Sequence, residues 1–318
     1  MADRKLDEAA ATTVERLGVG SRDLLLVLYN EDLAPIAEAI ATAGRACAQN
    51  VRALAFPTLS RDGEEPPDDV AAALLAADAV AMVTTYSLSH TVARLEATRQ
   101  GARVASMPRI TAETFARTVP IDYTELESVG RRLAAQLTDA ERCRIVAPAG
   151  TDVGLVLRGR TGRSDDGDLR APGAFGNLPA GEAYIAPFER AGEGTIVFDL
   201  SVASSGLLDE PLRIDLADGR AVDASGGAAA ATLLSVLDAG GPNGRVIAEL
   251  GIGTNPAATI TGKILEDEKV AGTIHIAFGT NTGIGGENQA TVHIDGVVRD
   301  PTVELDGRMI IRDGRLVA

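Results

Sequence analysis

The chain has 318 residues, 45% hydrophobic and 24% charged, which is long for one core and ordinary for a globular protein of two domains. A formal net charge of −15 argues against a nucleic-acid backbone or an anionic membrane as partner. With no tryptophan and 3% aromatic residues, Ala, Val, Leu and Ile must fill the core, which suits an α/β layered protein better than a surface that stacks on bases or sugars.

The N-terminal stretch MADRKLDEAAATTVERL is an amphipathic helical pattern, with charges where a signal peptide has an apolar core. No apolar run approaches the roughly 18 residues that span a bilayer. A cytoplasmic protein is the expectation. RDLLLVLYN (22–30) predicts a strand buried on both faces. Residues 35–49 follow as helix, 51–56 as strand, 68–78 as helix, 79–85 as strand, 89–100 as helix and 102–107 as strand. This alternation predicts a doubly wound parallel sheet, Rossmann-like in architecture. The glycines of GVGSRD (18–23) precede the first strand rather than follow it, so they make no dinucleotide fingerprint. His90, in TTYSLSHT (84–91), stands just beyond the third strand, where open α/β sheets bind ligands. It is either a substrate-binding residue or a solvated residue of a helix start capped by Ser87 or Ser89. A long amphipathic helix over 121–140 closes a first α/β domain of residues 1–140. Cys47 and Cys143, far apart and without CxxC spacing, read as small apolar residues.

Residues 141–318 change character. Short strands alternate with Gly, Asp and Pro turns, and LADGRA, LDGRM and RDGRL are hairpin signals. One helix (227–239) interrupts them, which predicts an α+β domain of mixed or antiparallel sheet. RTGRSDDGDLRAPGAFGN (160–177) lacks calcium-loop spacing and reads as a mobile surface loop. Glu182 follows a Pro-Ala-Gly turn, and Glu249 ends the otherwise apolar RVIAEL. A buried carboxylate needs a partner, either a metal or an arginine. Residues 271–295 then hold two of the three histidines, His275 in TIHIAF and His293 in TVHID, each in an alternating half-buried strand. Strand geometry puts His293 and Asp295 on one face. Two imidazoles and a carboxylate on neighbouring strands fit a metal site, or two histidines hydrogen-bonded in an ordinary sheet.

NLPAGEAYIAP, AELGIGTNP, ILEDEK-x-AGTIHIAFG and VHIDG, in that order, resemble the thermophilic aminopeptidases, the leucyl aminopeptidase-like group of aminopeptidases S and T, over residues 142–318. The resemblance implies an α/β domain before a metal-binding domain. It also implies a homodimer that removes N-terminal residues from peptides. Matched by motif, Glu182, Glu249, His275, His293 and Asp295 would hold two divalent ions (zinc, cobalt or manganese), with Glu182 or Glu249 as general base. Thr282 stands where the peptidases place a tyrosine. The same residues are similar to the 2,5-dihydroxypyridine dioxygenases of this superfamily, in which one iron(II) would sit on His275, His293 and Asp295. A non-catalytic metal-binding relative is the third expectation.

Overall fold

The run LLLVLY has no polar residue to turn towards solvent, and it forms a buried strand, β1 (Leu24–Tyr29), after the helix α1 (Ala2–Arg16). The computed structural model describes residues 2–317. The alternation continues through α2 (Ala34–Arg45), β2 (Asn50–Ala55), α3 (Asp68–Ala76), β3 (Ala79–Val83), α4 (Val92–Arg99), β4 (Arg103–Ser106) and α5 (Ala112–Thr118). Then come α6 (Tyr123–Asp139), β5 (Arg142–Val146), β6 (Asp152–Val156), β7 (Arg163–Asp165), β8 (Phe175–Asn177), β9 (Glu182–Ile185), β10 (Gly192–Phe198), β11 (Ser201–Val202) and β12 (Gly206–Leu207). The chain ends with β13 (Leu212–Ala217), β14 (Arg220–Ser225), α7 (Gly227–Ala239), β15 (Ile247–Gly253), α8 (Ile264–Asp267), β16 (Ile274–Gly279), β17 (His293–Val298), β18 (Thr302–Leu305), β19 (Arg308–Arg312) and β20 (Arg315–Leu316).

By internal contacts one unit comprises the chain up to Tyr123 together with Gly167–Ala180. Its strands run parallel in the order β2-β1-β3-β4-β8. Leu26, Leu28, Val80, Met82 and Val104 pack there with Leu74 of α3. Thr91, and not Ser87 or Ser89, caps α4: its hydroxyl accepts from the Arg94 amide at 3.3 Å. His90 is exposed in the turn ahead of that helix. The stretch 160–177 is ordered rather than a surface loop, because it supplies β7 and β8. Phe175 of β8 lies under the Arg94 guanidinium, 4.0 Å from the ring centroid. Two strands of three residues are too short to leave a period-2 signal among so many Gly and Asp.

The second unit comprises Thr124–Asp166 and the chain from Gly181 onwards. It holds an eight-stranded sheet, β14-β13-β10-β6-β5-β18-β19-β20, and a seven-stranded sheet, β12-β11-β17-β16-β15-β9-β7, whose strand pairs are antiparallel. The Asp-Gly turns adopt the left-handed backbone that two-residue hairpins need, with φ of 48° and 70° at Asp218-Gly219 and 50° and 81° at Asp306-Gly307. Ile145, Val153, Ile196 and Phe198 of the larger sheet join Ile185, Ile252, Ile276 and Phe278 of the smaller in one buried cluster. That cluster takes up one face of the smaller sheet. Its other face carries the charged residues described next. Among the described residues no helix is long and apolar enough to cross a membrane.

Candidate metal centre

Strand register assembles the centre. It places Asp165 opposite Glu182, Glu182 opposite Gly253, Gly251 opposite His275, Ala277 opposite Asp295 and Gly279 opposite His293. Directly opposed residues share a face of an antiparallel sheet, and alternate residues of one strand do too. Asp165, Glu182, Glu249, His275, His293 and Asp295 therefore stand together on the face away from the core. The floor beneath them is small, being made of Gly251, Gly253, Ala277 and Gly279. The strand β16 was expected to be half-buried, yet it is buried at every residue, because these side chains cover its second face. Glu249 does not end its strand either. GIG continues β15, since Gly251 lets the His275 imidazole lie across the backbone: a Cβ there would overlap Nε2 and Cε1, and even Cδ2 would be 2.9 Å away.

His275 Nε2 lies 3.2 Å from Glu182 Oε2 and 3.4 Å from Glu249 Oε1. His293 Nε2 lies 3.3 Å from Glu249 Oε2 and 3.5 Å from Asp295 Oδ1. Glu249 thus offers one oxygen to each imidazole. Among the described residues, donor atoms group in three sets that could each hold an ion: Glu182, Glu249 and His275; Glu249, His293 and Asp295; Glu268, His275 and Asp295.

The donor chemistry fits a divalent metal. His293 Nδ1 donates to the Thr280 carbonyl at 2.7 Å, so in the neutral ring the lone pair is on Nε2. That lone pair faces two carboxylate oxygens, an arrangement that attracts only when a proton or a metal ion lies between. Glu182 Oε2 is buried and accepts no well-formed hydrogen bond, with His275 Nε2 3.2 Å away. Imidazole nitrogens with carboxylate oxygens suit a first-row divalent ion. His275 departs from the usual pattern in one respect, since its buried Nδ1 has no hydrogen-bond partner.

Protons on the two imidazoles and one ammonium balance these carboxylates. Burial pulls both imidazoles towards neutrality. For His275 the carboxylates of Glu182 and Glu249 outweigh it, and for His293 those of Asp295 and Glu249, so both rings hold their protons well above the usual 6.5. Burial would raise Glu182, but Lys269 and His275 hold it at about 2; Glu249 is held at about 2 against burial by His275 and His293. Glu268 goes the other way. Burial, added to the charges of Glu182 and Asp295 and only partly offset by Lys269, lifts it to about 8. Tyr184, on the same face opposite Gly251, is raised by burial and by Asp165, Glu249 and Glu182, and stays a neutral phenol.

The structure thus brings Glu182, Glu249, His275, His293 and Asp295 together in the second unit, whereas His90 belongs to the first. Thr282 is exposed at the start of a short 3-10 turn. Glu268, Lys269 and Asp165 also belong to the centre and were missed in the sequence. The signal was present in EDEK (266–269), four ionisable residues just ahead of an apolar strand. A polar network holds the loop that carries Thr280. Buried Glu189 pairs with Arg160 and accepts from Asn281 Nδ2 (3.0 Å) and the Glu287 amide (2.6 Å), and the Asn288 amide donates to Asn281 Oδ1 (2.8 Å).

Known proteins resemble most of the chain in sequence and all of it in fold. The family model of 2,5-dihydroxypyridine 5,6-dioxygenase (NicX) matches residues 34–318. A 2,5-dihydroxypyridine 5,6-dioxygenase of Pseudomonas putida KT2440 is 26% identical over 263 residues, which cover 77% of this chain and 73% of that one. The solved structure of 2,5-dihydroxypyridine dioxygenase from Pseudomonas putida KT2440 superposes with a TM-score of 0.84 at 20% identity, covering 100% of this chain and 98% of that one. Wild-type AmpT from Thermus thermophilus superposes with a TM-score of 0.78 at 18% identity, covering both chains fully. The two structural likenesses establish the mixed α/β fold. The family match reverses the order of the two enzymatic expectations, with the dioxygenase now ahead of the peptidase.

Proposed function

The chain belongs to the 2,5-dihydroxypyridine 5,6-dioxygenase family, and on that premise we propose that it opens the ring of a dihydroxylated pyridine with dioxygen, using one iron(II) ion held by His275, His293 and Asp295. The observation that carries this reading is the family match over residues 34–318, which includes every residue of the charged face. When bound, iron(II) supplies the redox chemistry that lets an electron-rich ring react with dioxygen, at positions that three protein ligands leave open. The side chains do the rest. His275 and His293 offer Nε2 once their protons leave, and Asp295 adds the carboxylate of the triad. Glu249 sets the angle between the two rings with one oxygen on each. Glu268, lifted by burial to about 8, holds or releases a proton in the neutral range that acid–base work requires.

One observation favours a second reading. Two ligand sets share Glu249, as a bridging carboxylate would in a two-ion centre that hydrolyses peptides with zinc, cobalt or manganese. Anaerobic loading separates the two. With iron(II), one ion per chain and oxygen uptake on addition of 2,5-dihydroxypyridine are expected. Two ions per chain, with hydrolysis of aminoacyl anilides and no oxygen uptake, overturn the dioxygenase reading. Glu182→Gln keeps the side chain's size and removes its charge, so on the one-ion reading it leaves the iron content unchanged, and on the two-ion reading it drops the ratio towards one. A homodimer, implied by resemblance, remains part of the proposal, and light scattering at micromolar concentration checks it.

A further inference from the structure

Lys269 is fully buried, at 0% exposure. Its Nζ lies 2.6 Å from Glu182 Oε1, 2.8 Å from Glu268 Oε1 and 3.7 Å from Asp165 Oδ2. An ammonium stripped of water persists only where carboxylates surround it, so this position is built around the charge. The backbone holds it in place: the Lys269 amide donates to the Glu266 carbonyl at 3.0 Å, and its carbonyl accepts from the Asn255 amide at 2.8 Å. The two preceding acids brace the same turn. Glu266 accepts from the Thr259 amide (2.9 Å), and Asp267 from the amides of Thr261 (2.6 Å) and Gly262 (2.9 Å).

Glu182 is thereby divided, with one oxygen on Lys269 and the other turned to His275. Of the two ligand sets that share Glu249, the one with Glu182 already has a fixed positive charge beside it. The set with His293 and Asp295 has no contact with Lys269. We propose that Lys269 is a built-in counter-ion that takes the place of a second divalent ion, neutralising Glu182 and restricting the centre to one metal. It acts through Glu182 and is a positioning residue, not a catalytic one. The inference rests on the one-ion reading above, which takes His275 for the single ion: the second set then keeps the carboxylates of Glu182 and Glu249, and a lysine already supplies the positive charge they would draw.

The test compares full-length wild type, Lys269→Met and the double variant Lys269→Met/Glu182→Gln, each stripped with chelator and dialysed against manganese(II). Ions per chain at saturation and thermal melting by circular dichroism are the readouts. Expected are one ion for wild type, two for Lys269→Met and one for the double variant. A lysine with a merely structural role lowers the melting temperature without adding an ion. One ion in wild type and one in a folded Lys269→Met protein overturn the inference and leave the one-ion reading standing. Two ions in wild type overturn that reading itself, and the inference with it. Where Lys269→Met fails to fold with or without manganese, the double variant decides. Folded and holding one ion, it supports a counter-ion to Glu182; unfolded, it overturns the inference.

Discussion

On the proposed function, His293→Ala is expected to leave the protein folded and without bound metal, with oxygen uptake down about 100-fold or more, since the loss of a ligand exceeds the 10–100-fold typical for its supporting partners. The ring is at the open side of the face, with 24% of its side chain exposed, so truncation leaves little cavity. It also removes the one nitrogen whose lone pair the Thr280 hydrogen bond directs at Glu249 and Asp295. His275→Ala removes the ion as well. That ring is 1% exposed and wedged between Glu182 and Glu249, so its loss also costs stability by leaving two buried carboxylates without their partner. Elemental analysis after long dialysis, with circular dichroism for folding, checks both variants. Full metal content in both would discard the centre as drawn. The titrations add a pH signature. Both rings hold their protons above the ordinary 6.5, so a metal ion must displace them to bind and affinity rises with pH. Manganese binding at about pH 8 is therefore tighter than at about pH 6. A flat or reversed dependence contradicts imidazole ligation.

Period-2 alternation in TVHID is enough to put His293 and Asp295 on one face, and the βα alternation of residues 22–107 is enough for the parallel sheet, because each signal is local. What stayed hidden is not local. The pairing of Asp165 with Glu182, and so the arrival of β7 at the centre, depends on a three-residue strand inside a Gly- and Asp-rich stretch. Lys269 follows three acids in EDEK, and nothing in that run separates a buried lysine from a solvated one. Only the packing of that turn against Glu182 and Asn255 shows that it is buried. The glycines of GIG read as a break after Glu249, although they mark the close approach of His275 and of the Val270 carbonyl to β15. Composition does not separate a glycine that ends a strand from one that makes room beside it.

That distinction can be put to a direct trial. Gly251→Ala adds one methyl group, yet its effect on the centre is expected to approach that of deleting His275. The backbone at Gly251 is not in the left-handed region, so no conformational strain opposes alanine. The objection is steric and falls on one side chain, because the new Cβ overlaps Nε2 and Cε1 of the imidazole directly opposite. The ring is a flat body, 1% exposed, between Glu182 and Glu249 at 3.2 and 3.4 Å, and close-packed interiors yield little to such a group. It must tilt away from the floor, which carries Nε2 out of reach of the other ligands. A misplacement of about 1 Å is enough to cost about 100-fold in activity. The expected result is a folded protein of lowered melting temperature whose metal is lost on dialysis. Gly154→Ala is the matched control: it also lies in an antiparallel strand of the second unit, and a Cβ there meets nothing within 4 Å, so metal content and activity stay at wild-type values. If Gly251→Ala keeps its ion and its oxygen uptake, the imidazole is mobile enough to yield. The rigid floor assigned to β15 would then have no part in holding His275 to the metal.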